Sequence, residues 1–297
     1  MTSRRELVGR LDPELRSAGR FLPRRMHASF VARVHGPVNR MIARTAARPG
    51  TEVVAISPEV TVRVQRPSGV PSPAPAVVWL HGGGFVFGTA TQDDRFCQGL
   101  AEQAGIAVVA VEYRLLPRHP YPAALDDAYA ALAWLARQPW ADASRLGVAG
   151  ASAGGGMAAA LALHARDRGE IPLASQALVY PMLDDRTASD RDYLFWSVAD
   201  NAAAWRMYLH DADPEVAVPA RRDDLAGLPP AWVGCGTEDL FLAESQAYAR
   251  RLIQAGVATT LELAPGAFHA FEQLAPEAAV SRKFVASLAD HLRRTLA

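Results

Sequence analysis

Ser152 stands in Gly150-Ala151-Ser152-Ala153-Gly154, between the apolar run Leu146-Gly147-Val148-Ala149 and an Ala- and Gly-rich stretch over 155–163. The first run reads as a short buried strand and the second as a helix. A serine on a tight strand-to-helix turn has its hydroxyl pushed out of the fold, on a strained backbone that only small neighbours permit. Gly150 and Gly154 supply those neighbours. The N-terminus of the following helix directs positive charge at the serine, which suits an oxyanion developing there. The chemistry such a residue can do is nucleophilic acyl transfer, given a base and oxyanion donors.

The donors are read at His81-Gly82-Gly83-Gly84-Phe85, which follows a strand ending at Leu80. A flexible turn needs one or two glycines. Three in a row after a histidine leave backbone N–H groups able to converge on a ligand with no side chain in the way. Gly83 and Gly84 are the predicted donors, with the N–H of Ala153 as the third.

If the order is serine, acid, histidine, the base lies after Ser152, and the candidates are His164, His210, His269 and His291. His164 and His291 fall within helices and read as solvated; His210 falls in an insert. His269, in Pro265-Gly266-Ala267-Phe268-His269-Ala270-Phe271, sits in a loop after a strand and can reach the strand ends. The acid is sought in Gly236-Thr237-Glu238-Asp239, after the strand ending at Cys235. Adjacent side chains on an extended turn point to opposite sides, so only one of Glu238 and Asp239 can face the histidine.

Alternating apolar periods supply the elements that must hold these residues. Residues 53–56 and 60–64 alternate as two antiparallel strands. Buried strands are predicted at 76–80, 106–111, 176–180, 231–235 and 259–263, with helices near 93–104, 122–137, 244–255 and 276–295. Strands alternating with helices imply an α/β fold with a mostly parallel sheet covered on both faces, whose ligands bind at the carboxyl ends of strands. Two regions stand outside the alternation. Residues 1–45 read as arginine-rich amphipathic helices through Leu7, Leu11, Leu15, Phe21, Met26, Phe30, Val31, Val34, Val38, Met41 and Ile42. Residues 184–226 read as a helical insert containing Leu194-Phe195-Trp196 and the stretch 202–209. Together they are the candidate lid or cap.

Composition removes other classes. The 297 residues are 50% hydrophobic and 21% charged, with a formal net charge of zero and no basic run, so there is no footprint for nucleic acid or an anionic membrane. Lys283 is the only lysine, which removes Walker A and Schiff-base chemistry near any glycine loop. No dinucleotide fingerprint and no zinc-binding H-E-x-x-H occurs. Cys97 and Cys235 fit no metal spacing and suggest no disulfide framework. No run of 18 apolar residues and no h-region follow the basic start, so the predicted compartment is a reducing cytoplasm, without membrane insertion.

The motif set resembles the α/β-hydrolase fold, and within it the hormone-sensitive lipase family of bacterial carboxylesterases. The segment 113–127, Tyr113-Arg114-Leu115-Leu116-Pro117-Arg118-His119-Pro120-Tyr121-Pro122-Ala123-Ala124-Leu125-Asp126-Asp127, is similar to that family's Y-R-L-A-P-E-H-P-F-P-A-A segment. The likeness runs from about residue 50 to the C-terminus. It implies a single α/β-hydrolase domain over 1–297 with cap elements at about 1–45 and 184–226. It also implies a serine carboxylesterase that hydrolyses short- to medium-chain acyl esters through an acyl-enzyme intermediate. By the resemblance the acid is Asp239, and aspartate is also the shorter side chain, losing less rotamer freedom when fixed. Ser152 is then the nucleophile and His269 the base, with Gly83, Gly84 and Ala153 holding the oxyanion. Phe85, Trp196 and Trp205 are candidate pocket walls. No cofactor and no metal is implied, the partner is a small-molecule ester, and a homodimer stays open. The chain departs from the family pattern at Ala151, often aspartate, at 243–245, usually an acidic pair and glycine, and at Ala270, usually glycine. An amidase on the same triad stays open. A non-catalytic ligand-binding receptor on this fold is the other alternative; retention of His269 argues against it.

Overall fold

A computed structural model describes residues 2–31, 47–70 and 72–297. Eight strands form one sheet: β1 (Thr51–Ala55), β2 (Thr61–Gln65), β3 (Ala74–Leu80), β4 (Ala107–Glu112), β5 (Ala141–Ala151), β6 (Ser175–Val179), β7 (Ala231–Gly236) and β8 (Thr259–Ala264). Their spatial order is β1-β2-β4-β3-β5-β6-β7-β8. The pairs β1–β2 and β2–β4 are antiparallel, and every later pair is parallel. The fold is thus the α/β class that the alternation predicts, down to the antiparallel start.

The central strands are Val-, Ala- and Leu-rich because both faces are covered. All seven residues of β3 are buried. Helices α1 (Arg4–Gly9) and α2 (Arg16–Gly19) precede the sheet; α3 (Asp94–Ala104), α4 (Ala123–Leu135) and α5 (Ala153–Arg168) connect its first parallel strands. Next come α6 (Val198–Leu209), α7 (Pro214–Ala217), α8 (Leu242–Gln254), α9 (Phe271–Leu274) and α10 (Ala279–Thr295). Helix α3 packs on α10, and α4 packs on α5, giving a helical layer to each face.

The strand order reverses about β3: the chain moves from β3 outward to β4, then returns to β5 on the other side. A crevice opens at such a switch point, beyond the carboxyl ends of the two strands. Leu80 pairs with Gly150, so the histidine–glycine loop and the serine turn leave the sheet side by side. Glycine is required for that approach: a Cβ on Gly154 would stand 2.0 Å from the Leu80 carbonyl oxygen.

Four readings of the sequence change. Strand β5 begins at Ala141, well before Leu146, because Asp142, Ser144 and Arg145 form a polar irregularity with its own bonds and no apolar alternation. Leu194-Phe195-Trp196 is irregular, and the cap helix starts at Val198 after the Ser197 N-cap; Phe195 has φ +74, outside the right-handed helix. Leu7, Leu11 and Leu15 are buried as expected of an apolar face, but Phe21 and Phe30 are 89% and 66% exposed. Val34, Val38, Met41 and Ile42 lie outside the described residues. His291, read as solvated, is buried with its Nε2 3.1 Å from the Ser175 hydroxyl.

The N-terminal segment is fastened to the 184–226 insert. The Phe195 N–H donates to the Pro23 carbonyl at 2.7 Å, and the Asp200 carboxylate accepts from the Met26 and Ala28 N–H groups at 3.0 Å each. Asp192 takes the Thr2 N–H at 2.7 Å and pairs with Arg24 at 3.0 Å.

Candidate active site

Ser152 follows the last residue of β5 at φ +58, ψ −120, a conformation costing a non-glycine residue about 1–3 kcal/mol. Surrounding bonds hold it there. Its N–H donates to the Val179 carbonyl at 2.9 Å, and its own carbonyl accepts from Gly156 and Met182 at 3.0 and 2.9 Å. The strained turn lifts Oγ to the start of α5, where it lies 2.9 Å from Nε2 of His269.

His269 comes from the loop between β8 and α9, and Asp239 from the turn between β7 and α8. Nδ1 of His269 is 2.8 Å from Oδ2 of Asp239, with both side chains buried. A carboxylate only accepts, so Nδ1 carries the proton and Nε2 is left to accept from the serine hydroxyl. The other oxygen of Asp239 accepts the Phe241 N–H at 2.9 Å, fixing the carboxylate plane. Glu238 turns away and pairs with Arg191 at 2.9 Å. The pair left open by the local sequence is separated by geometry: residue 239 faces the imidazole and residue 238 does not.

The glycine loop closes on itself through the Gly83 carbonyl, which accepts from the Val86 and Phe87 N–H groups at 3.0 and 3.1 Å. Gly83 and Gly84 have φ +125 and +59. Side chains are excluded at both: a Cβ would meet the Phe87 carbonyl oxygen at 2.0 Å and the Trp196 ring at 2.3 Å. Ala153 is the first residue of α5, so its N–H has no partner four residues earlier in the helix.

Ser152, His269, Gly83 and Gly84 open on a cavity of about 220 Å³. Trp196 is a wall, as expected, but Phe85 and Trp205 are not. Both are buried against Tyr208, Phe85 stacked on its ring with centroids 4.1 Å apart and Trp205 edge-on to it at 5.7 Å. The aromatic walls that sequence reasoning missed are Phe87 and Tyr180; Phe195 comes from the bulky cap stretch 194–196 read from the sequence. Tyr180 follows β6 beside the nucleophile strand, so its strand-end position was the available signal; Phe87 and Phe195 are turned inward by loop geometry that has no period. The rings of Tyr180, Phe241 and Phe195 surround His269 at 4.6, 5.3 and 6.0 Å.

Several buried acids lie behind this surface. The Tyr180 hydroxyl donates to Glu272, whose carboxyl burial pushes up to about 7. Burial likewise raises Asp93 to about 6, although the Trp79 indole N–H donates to it at 2.7 Å. Burial raises Glu112 to about 7, against the pull of the Ala90 N–H and Arg63. His81 goes the other way: burial lowers it to about 4, so its ring is neutral. At the departures from the resembled pattern, Ala151 is buried, and the Glu244 carboxylate caps the Leu183 N–H at 2.6 Å and the Thr187 hydroxyl. Ala270 holds φ +65, a value suited to glycine.

No group of three or more His, Cys, Asp or Glu side chains is arranged to hold a metal ion among the described residues, and no helix among them is long and apolar enough to cross a membrane.

Known proteins are similar to this chain in sequence and fold. A family model described as the alpha/beta hydrolase fold matches residues 77–273. Esterase LipI of Mycobacterium tuberculosis is 40% identical over 210 residues, covering 67% of this chain and 66% of that protein. Carboxylesterase NlhH of the same species is 38% identical over 231 residues, covering 73% and 72%. The crystal structure of esterase LipW from Mycobacterium marinum superposes with a TM-score of 0.86 at 39% identity, covering 98% of this chain and 97% of that one.

Proposed function

Because the chain belongs to the alpha/beta hydrolase fold family, we propose that it is a serine carboxylesterase acting on short- to medium-chain acyl esters through an acyl-enzyme intermediate. One observation carries this reading: a strained serine whose Oγ is 2.9 Å from an imidazole that is itself held at 2.8 Å by a buried aspartate. The names of its relatives, esterase LipI and carboxylesterase NlhH, point to the same reaction.

In the first half-reaction Ser152 Oγ bonds to the ester carbonyl carbon as its proton passes to His269 Nε2. The carbonyl oxygen takes the negative charge and meets the N–H groups of Gly83, Gly84 and Ala153; each such donor is worth about 3–4 kcal/mol. Asp239 steadies the imidazolium. The carbon–oxygen bond to the alcohol then breaks, and the leaving oxygen takes the proton from His269. Water repeats the sequence on the acyl-enzyme with His269 as base, releasing the acid and restoring Ser152.

Trp196, seated against Gly84, and Phe195 beside His269 support a short acyl site, because their rings stand where a longer chain would run. Each methylene that finds room gains only about 0.8 kcal/mol, so a wall outweighs it readily. The test is a series of p-nitrophenyl esters, with the best kcat/KM at roughly two to eight acyl carbons. An optimum above about twelve carbons overturns the short-acyl assignment. A ligand-binding receptor would not need an imidazole bonded to its serine, and fluorophosphonate labelling of Ser152 separates the two readings.

A further inference from the structure

Glycines with positive φ, here an adjoining pair and a third four residues on, have little conformational preference of their own, yet oxyanion donors act only when held in place before the reaction. The loop from His81 to Ala90 therefore needs an external hold. Gly83, Gly84 and Gly88 have φ +125, +59 and +98, and Phe85 is forced to +63. Nothing in the proposed mechanism uses the segment Glu112-Tyr113-Arg114-Leu115-Leu116, which begins on the last residue of β4.

That segment touches the loop at its start, middle and end. At the start the Tyr113 hydroxyl donates to the His81 carbonyl at 2.7 Å, and its ring lies flat on the His81 imidazole, 4.1 Å between centroids and 11° between planes. In the middle the Leu116 N–H donates to the Phe85 carbonyl at 2.9 Å. At the end the Ala90 N–H, an orphan donor opening a helical turn, gives its bond to the Glu112 carboxylate at 2.8 Å. Consecutive residues at a strand end project to opposite sides, which is how 112 and 113 reach the two ends of one loop. The segment is itself anchored: the Arg114 N–H and guanidinium bond to Asp127 of α4 at 2.8 and 2.7 Å.

We propose that Tyr113 and Glu112 are positioning residues for the oxyanion hole, setting the direction of the Gly83 and Gly84 N–H groups by gripping the loop at its two ends. The transmission at the first end is explicit. Tyr113 holds the His81 backbone and ring, and the His81 Nδ1–H donates to the Gly82 carbonyl at 2.7 Å. The Gly82 carbonyl and the Gly83 N–H belong to one planar trans peptide, so fixing one direction fixes the other. Rotation of the His81 ring would rotate a donor.

The inference rests on the esterase reading of this loop, and the experiment separates the two. Wild type, Tyr113→Phe, Glu112→Leu and Glu112→Gln are compared for kcat, KM and inhibition by a boronic acid, whose adduct with the serine mimics the tetrahedral oxyanion. Wild type without ester turnover sinks the esterase reading itself. With turnover present, Tyr113→Phe and Glu112→Leu each lower kcat about tenfold with KM within about threefold, and boronate affinity falls by the same factor as kcat. Glu112→Gln keeps an oxygen acceptor and retains at least about a third of the kcat. Rates are referred to active sites titrated with fluorophosphonate, so a partly unfolded variant does not mimic the effect. Unchanged kcat in Tyr113→Phe, a loss confined to KM, a kcat loss with boronate affinity intact, or Gln as damaging as Leu at 112 overturns the proposal.

Discussion

Among the described residues are two buried Ser–His pairs at nearly the same distance. Ser152 and His269 are 2.9 Å apart beyond the carboxyl ends of the strands; Ser175 and His291 are 3.1 Å apart at the start of β6. Proximity therefore does not make a nucleophile. The first pair has a buried carboxylate on the far ring nitrogen, a serine at φ +58, two positive-φ glycines and a cavity. For the second, no carboxylate pairs with the ring among the described residues, neither residue has a positive φ, and Ser175 is fully buried. The Thr295 hydroxyl closes it off, 2.8 Å from both the Ser175 hydroxyl and the His291 carbonyl. The first pair is the one we propose transfers a proton to and from a ligand; the second joins α10 to β6.

The largest expected difference is in turnover. Ser152→Ala lowers kcat by roughly 10⁴–10⁶, while Ser175→Ala leaves it within about twofold and costs about 1–2 kcal/mol of stability. Steady-state kinetics and denaturant titration of the two variants check this; near-wild-type turnover in Ser152→Ala breaks the comparison. Next is the carboxylate that only the first pair possesses. Asp239→Asn lowers kcat by about 10⁴, because an amide traps the wrong imidazole tautomer, and Glu238→Gln lowers it less than about tenfold. The reverse order in kcat would move the acid to residue 238.

Smaller, and specific to the second pair, is a response to acid. Burial depresses His291 to about 4 from an ordinary value near 6.5, so the unfolded chain binds a proton there that the folded chain refuses. The stability tied to the neutral ring is present above about pH 6.5 and is lost as pH falls toward 4, at up to about 1.4 kcal/mol per pH unit. His81 contributes in the same direction and window. Unfolding free energy measured across this range is less steep in His291→Asn than in wild type, with kcat at pH 7.5 within about twofold. An equal slope in both proteins would show that His291 takes up no proton on unfolding. The smallest effect concerns strain, which gathers around the first pair. Ala270→Gly relieves φ +65 and stabilises by roughly 0.5–1 kcal/mol after glycine's extra unfolded-state entropy is subtracted. A lower melting temperature in this variant would contradict the strain.

Much of the candidate site was legible in the chain because its parts carry local signals. Small residues around Ser152, three glycines after His81, and an acid and a histidine each just after a strand are all visible within windows of five to seven residues. The alternation of strands and helices was legible for the same reason: burial on one or two faces imprints a period. Where no period exists, reading fails. The polar irregularity in β5 hid its first half, and the positive φ of Phe195 ended an expected helix before it began. Phe85 and Trp205 were bulky residues in the right neighbourhood, yet they face Tyr208, because the turn after Gly84 sends Phe85 away from the cavity and leaves Phe87 to line it.

The two Ser–His pairs mark the boundary between what sequence determines and what it leaves to the fold. By itself the sequence determined the strand order along the chain, the strained serine turn and the loops able to bring donors, acid and base to the strand ends, since each depends on neighbours a few residues apart. The tertiary structure brought His269 to Asp239, the acid that the resemblance implied, and it alone decided that His291 is buried and neutral and which rings wall the cavity. Those outcomes depend on contacts between residues 30 to 117 positions apart, whose energies arise from desolvation and packing after the sheet closes.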